Sequence, residues 1–334
     1  SSSMAAFAGA RLGMTLMVHI KDIKESTVSG CQDNEKIKVS FFDEDGLYPS
    51  RAFERALFAS LEDKVQESSL VSDIERCDDL SLLYRSALIS SARDELRMTG
   101  EKHIQKTSVH VAGSEDTDML GIVLAELGFD VTDENDCDLI VEYEGQQELY
   151  ITDNRNGKTE KTDMWHVTAI LALNGIKHGS LPDAAPLCIE KILSDGNVTI
   201  AKYRDCPSDR EDEAARKNSG KTPWICDAAF AAVRICAVLG SGVHLKSLSE
   251  EIPDFYYSDT HIPADCTGKI RIMRTLGKPD AEGVIIKGEK GGCVRIIPDC
   301  GDSVRVITDA ESTEAAEELL SFSEQKIREI IKNK

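Results

Sequence analysis

CDLIVEYEGQQELYITDNRNG, residues 137–157, decides how the rest of the chain is read. An apolar run from Leu139 to Val141 enters Glu144-Gly145-Gln146-Gln147-Glu148, and a second run, Leu149 to Ile151, leads to Asn156-Gly157. Two apolar runs around a short polar loop read as two strands, with Asn-Gly as a turn. The loop sets two carboxylates around amides, and oxygen donors of this kind are what hard divalent cations take. The stretch has the form of a metal loop with one member missing.

Upstream, the pattern alternates. IKVSFF (37–42) is β-rich and DEDG (43–46) is a turn signal, so residues 13–46 read as strand, loop, strand, turn. Residues 50–64 are an amphipathic helix with Phe53, Leu57 and Leu61 on one face, and 66–79 suit a polar linker. Residues 80–96 are helical, 108–113 a strand and 116–129 a helix. The alternation implies an α/β layer with a mostly parallel sheet.

Downstream, 163–174 is a helix, GIKHGSLPD (175–183) a loop, 197–203 a strand, and 204–221 polar and loop-like. CDAAFAAVRICAVLG (226–240) is an apolar helix and 245–252 a short one, followed by the punctuating prolines 253, 263 and 279. The chain closes with three short strands and a helix from about Ser312 to Lys332. That helix is acidic early and basic late, the order favoured by the helix dipole.

The 334 residues, 41% hydrophobic and 29% charged, suffice for several buried cores. A formal net charge of −20 argues against nucleic acid and membrane as partners, because an acidic surface repels phosphate and anionic lipid. The ten cysteines contain no CxxC pair and read as reduced thiols of a cytoplasmic protein. There is no HExxH, and GEKGGC (288–293) is a turn between strands without the Lys-Ser/Thr helix of a phosphate loop.

The order of these segments resembles the α-D-phosphohexomutase family: the phosphomannomutases, phosphoglucomutases and phosphoglucosamine mutases. The resemblance covers roughly residues 10–330. Residues 138–157 align with the family's strand–DGDADR–strand segment. CDAAFAAVRICAVLGSGVHLKSLSEEIPDFYYS is similar to the end of its third domain. GVIIKGEKGGCVRIIPDCGDSVRVITDAESTEAAEELL is similar to its fourth, where the family loop reads RPSGTEP. The resemblance implies an α/β, multi-domain phosphohexomutase-like architecture of mixed sheets flanked by helices, with a small α+β C-terminal domain. Its segments would be 4–75 (a remnant of domain 1), 76–157 (a shortened domain 2 with the metal loop), 158–262 (domain 3) and 263–334 (the last domain, with the phosphate loop).

The family's chemistry uses four loops, and each departs here. The phosphoserine loop would fall near TLMVHIKDIKEST; no Ser-His-Asn-Pro is present, and His19, Ser26 and Ser29 are the nearest candidates, His19 reading as a strand-end residue. The magnesium loop has become Glu144, Gln146 and Glu148: two lengthened carboxylates and one amide, a set expected to weaken octahedral magnesium greatly and to leave at most weak binding of a larger cation such as calcium. The sugar loop aligns with Lys217, Ser219 and Lys221; lysine replaces the glutamate, and an ammonium only donates. The phosphate loop corresponds to Asp299, Gly301, Ser303 and, on the next strand, Arg305; isoleucine replaces its arginine, and two acids would repel a phosphate dianion.

Relative to the family, the first domain is short, which implies open strand edges and hence a homo-oligomer or a partner protein completing it. The reading is of a degenerate, non-catalytic phosphohexomutase-like protein that acts by binding or assembly, with no cofactor expected. The alternative is an active phosphosugar mutase of the isomerase class, with a rewired site, a phosphosugar ligand and magnesium.

Overall fold

A computed structural model describes residues 2–23, 36–49, 53, 56–57, 59–60, 79–100, 103–113, 117–134, 136–144, 148–155, 157–204, 210–277, 283–287, 292–298 and 303–332. It is mixed α/β, with several sheets and flanking helices, as the sequence leads one to expect. Contacts divide the chain into two units. One comprises Ser1–Asp183 with Val198–Glu251, the other Ala184–Asn197 with Ile252–Lys334.

The first unit opens with helix α1 (Ser2–Leu12). Its small residues let it sit close: Ala6 and Ala8 are buried, and a Cβ on Gly9 would lie 2.8 Å from the Asp43 carbonyl oxygen. Strands β1 (Leu16–Ile23) and β2 (Lys36–Asp43) pair antiparallel, Leu16 opposite Asp43. The expected DEDG turn follows, with Asp43 Oδ1 accepting from the Asp45 and Leu47 backbone N–H at 3.0 Å each. Of the helix read over 50–64, positions 53, 56, 57, 59 and 60 are helical; its other positions and the linker at 66–78 lie outside the described residues.

Helix α2 (Leu80–Thr99) ends at Gly100, whose φ of +79° supplies the left-handed cap. Then come β3 (Ser108–Gly113), α3 (Thr117–Leu127), β4 (Asp130–Val131), β5 (Leu139–Glu144), β6 (Glu148–Asp153) and β7 (Glu160–Asp163). The sheet order is β4-β3-β5-β6-β7. Only β4–β3 and β3–β5 are parallel, while β5–β6 and β6–β7 are antiparallel. The sheet is therefore mixed, not mostly parallel. The reason is loop length: a parallel neighbour needs a crossover of a dozen or so residues, and β5 and β6 are joined by a short loop. Leu139, Val141, Tyr143, Leu149 and Ile151 alternate onto one buried face of this sheet.

Helix α4 (Met164–Gly175) is capped by Asp163, which accepts from the Trp165 and His166 backbone N–H. GIKHGSLPD, expected as a loop, contains strand β8 (His178–Pro182). It continues through α5 (Leu187–Asp195) to β9 (Thr199–Tyr203), its parallel partner. Glycine and proline disguised β8; the ladder to β9 and close packing of Ile176 and Ile200 at Gly179 make it a strand. Likewise 204–221 is not loop throughout, because Arg210–Ser219 forms helix α6. REDEAARKNS lacks an apolar stripe, but its charges run acidic to basic, with the dipole. After a short 3₁₀ turn come α7 (Ala228–Gly240), buried almost throughout, and α8 (Leu245–Glu250).

The second unit holds α5, β10 (Tyr256–Pro263), α9 (Cys266–Leu276), β11 (Val284–Lys287), β12 (Cys293–Pro298), β13 (Ser303–Ala310) and α10 (Thr313–Lys332). Its sheet, ordered β10-β13-β12-β11, is antiparallel throughout. Ile262, Ile272, Val284, Ile296, Val304, Val306 and Ile327 form its core. The last three strands and final helix lie where the sequence puts them; β10 and α9 were hidden among prolines. None of the described helices is long and apolar enough to cross a membrane.

Candidate functional site

The β5–β6 hairpin carries the first candidate group. Glu144 and Glu148 are a register pair, so the two backbone positions face one another across the strands. Like charges directly opposite destabilise a hairpin, and a cation between them would offset that. Glu148 is exposed. The loop residue Gln146 and the Glu144 side chain lie outside the described residues. Two carboxylates and an amide fall short of the three-carboxylate magnesium set the resemblance implies. Among the described residues, no cluster of three or more His, Cys, Asp or Glu side chains could hold a metal ion.

The second group lies on the last turn of α6 and just beyond it. Lys217 is exposed, and Lys221 points to the Asn218 side chain, donating from Nζ to Oδ1 at 2.8 Å. Ser219 is buried, and its hydroxyl donates to the Arg216 carbonyl at 2.6 Å. Sequence reading missed the residue that organises this region. Arg216, 3% exposed, donates from Nε and Nη2 to Asp43 Oδ2, from Nη1 to the Arg204 carbonyl, and from Nη2 to the Tyr48 carbonyl. The same Asp43 that forms the DEDG turn thus receives a guanidinium from α6, uniting residues 173 apart in sequence. No local signal marks Arg216, because an arginine on a highly charged helix looks solvated.

In the second unit, Ser303 begins β13 opposite Pro263, and Arg305 pairs in register with His261 and Ile297. The Arg305 guanidinium grips Asp259 with Nε and Nη2 at 2.6–3.0 Å, a fork-on-carboxylate geometry. Asp299 and Gly301 lie outside the described residues. Arg295 is 2% exposed and donates to the Ala185 carbonyl at 3.4 Å. Asp309, also buried, accepts from the Cys188 backbone N–H at 3.2 Å, capping α5 from a neighbouring strand. Burial, with the Asp309 charge beside it, pushes the Cys188 thiol up, so it is a poor nucleophile. Burial also pushes Cys236 up to about 12, in keeping with its place in the α7 core.

His19, the nearest counterpart of the serine loop, is mid-strand in β1 opposite Ser40; Ser26 and Ser29 lie outside the described residues. Glu144 and Glu148 are thus register partners, while Lys217, Ser219 and Lys221, like Ser303 and Arg305, are near one another as neighbours in sequence.

Three buried polar centres in the first unit escaped the sequence. Arg155, in what reads as the turn DNRNG, makes a bidentate pair with Asp153 and donates to the carbonyls of Leu239, in the last turn of α7, and of Val243 just beyond it. Burial pushes the Asp153 carboxyl up, but the Arg155 and Leu245 hydrogen bonds outweigh it and hold the group below its usual range. Glu95 on α2 meets Arg234 on α7, and that guanidinium lies 5.2 Å from the centre of the Trp224 ring. Asp227 caps α7 and receives the Tyr84 hydroxyl at 3.4 Å.

No protein-family model matches the chain, and no curated protein is similar to it. Among solved structures, 28 chains match it, one of them described as a member of the α-D-phosphohexomutase superfamily. N-acetylglucosamine-phosphate mutase, solved with its substrate, is similar at a TM-score of 0.47 and 12% identity over 75% of this chain. The N-acetylphosphoglucosamine mutase of Aspergillus fumigatus is similar at 0.44 and 11% over 74%. The chain spans about 65% of the length of each.

Proposed function

We propose that this chain is a phosphohexomutase-like protein that has lost phosphoryl transfer and acts through binding or assembly. One observation carries the reading: the buried guanidinium of the candidate sugar loop and the guanidinium that follows the candidate phosphate loop are both engaged within the protein. Arg216 is held by Asp43, and Arg305 by Asp259. A phosphate dianion needs guanidinium or hydroxyl donors turned toward it, and Ser219 gives its hydroxyl to a backbone carbonyl. The segments 4–75, 76–157, 158–262 and 263–334 are, in this reading, the four family domains, the first two reduced.

The Glu144–Glu148 register pair favours one other reading, an active mutase with a rewired magnesium site. A coupled assay on glucose, mannose, glucosamine and N-acetylglucosamine phosphates, with magnesium and a bisphosphate activator, separates the two. The expected result is no turnover above the uncatalysed rate, together with an intact mass showing no added phosphoryl group. Turnover abolished by Glu144→Ala establishes the active mutase instead. Assembly is read by light scattering after gel filtration. A dimer or larger species is expected, and a monomer throughout the micromolar range argues against assembly as the role.

A further inference from the structure

A cavity of about 300 Å³ lies wholly within the first unit, among the last turns of α2, the connection into β3 and the end of α3. Leu96, Ile104 and Leu127 make its apolar wall, and Arg93, His103 and Glu126 supply its polar groups. Its volume is at the lower end of the range for small-molecule sites, about 300–1,000 Å³.

The wall is fixed in advance. Gln105, next to Ile104, donates its backbone N–H to the Gly240 carbonyl at 2.7 Å and its side-chain amide to the Ser241 carbonyl at 3.0 Å. A Cβ on Gly240 would come within 2.9 Å of Ile104 Cγ2, so α7 holds that side chain firmly from behind. A preformed site avoids the entropy of ordering a loop on binding.

The charges are unevenly committed. Glu126 is engaged by Arg85 in an ion pair. Among the described residues, neither Arg93 nor His103 has an ion-pair or hydrogen-bond partner, and both are exposed at the rim. The end of α3 presents carbonyls nearby, but Gly128 and Phe129 donate to those of Ala125 and Leu124, which blunts their negative potential. The uncommitted guanidinium and imidazole lie over an apolar wall in a chain of net charge −20.

We propose that this cavity binds a small organic anion. Arg93 and His103 take the acid group, and Leu96, Ile104 and Leu127 take its apolar body. The guanidinium fork matches a carboxylate or a phosphate monoester. This site is separate from the degenerate loops and stands whether or not the mutase reading does.

Isothermal titration of the full chain with benzoate, phenyl phosphate and benzylammonium tests it. At least one of the two anions is expected to give a saturable single-site isotherm, and the better of them names the acid group. Benzylammonium is expected to bind at least about tenfold more weakly, and Arg93→Ala to weaken the anion by about tenfold, the loss of one charge-assisted contact. His103→Gln is expected to weaken it less. Arg93 is an exposed helical position, so circular dichroism of Arg93→Ala should match the parent chain. No saturable binding of either anion, equal binding of benzylammonium, or an anion affinity unchanged in Arg93→Ala overturns the proposal.

Discussion

Glu95 is 2% exposed, and the guanidinium it meets is sandwiched against Trp224. Removing one member of such a pair leaves a charge buried without its counter-ion, at a cost of about 3–5 kcal/mol. Glu95→Ala is therefore expected to lower the urea-unfolding free energy by that amount. Replacing Glu95 and Arg234 together by leucine and methionine should restore most of it. A Glu95→Ala loss below about 1 kcal/mol would show that the pair is solvated. Asp227 makes a second residue-scale prediction. Burial pushes its carboxyl from 3.8 up to about 6, against the pull of two backbone N–H groups and the Tyr84 hydroxyl. Its folded pKa lies above its unfolded one, so the protonated form favours the fold. This contribution is complete below about pH 3.8 and is lost as pH rises through about 6. Asp227→Asn keeps a capping oxygen but cannot ionise. Its unfolding midpoint should fall less than that of the parent chain between about pH 4 and about pH 7. Parallel profiles would count against it.

At the scale of elements, pairing geometry explains both what the sequence revealed and what it concealed. Gly113 ends β3 at φ +150°, and a Cβ there would stand 2.0 Å from the Tyr143 carbonyl oxygen of β5. Gly113→Ala must then break the last rung of the β3–β5 ladder. An expected loss on the order of 3 kcal/mol would show as a lowered denaturation midpoint; an unchanged midpoint would mean the rung is dispensable. The strands 139–153 and 293–310 were legible because β-branched runs stood between polar turns. Helix α7 was legible because its apolar residues run without a break. Strand β8 was not, since its five residues include glycine and proline and are made a strand only by β9. Helix α6 was not, since its apolar content is two alanines and its buried face is closed by Arg216.

For the whole molecule, the two units have separate cores, and the second is assembled from two stretches of chain, Ala184–Asn197 and Ile252–Lys334. Calorimetry should resolve two transitions. Ile272 is fully buried in the core of the second unit, so Ile272→Ala, at about 2–5 kcal/mol, should lower one transition and leave the other in place. A single transition moved as a whole would mean that the units unfold together.

The sequence by itself determined the α/β class, the paired strands within 137–157, and three strands of the last sheet with its closing helix. Each of these depends on local periodicity or on the chemistry of a side chain at a given position, and neither needs a distant partner. Tertiary structure alone decided that the central sheet is mixed, that β8 is a strand, that Asp43 takes Arg216 and Asp259 takes Arg305, and that Arg93 and His103 share a cavity. The sheet and β8 turn on which strands pair, and the rest on which side chains end up facing one another. Electrostatic pairing has no period along the chain: an arginine bound to a carboxylate far away in sequence has the same neighbours in the text as one that reaches into water.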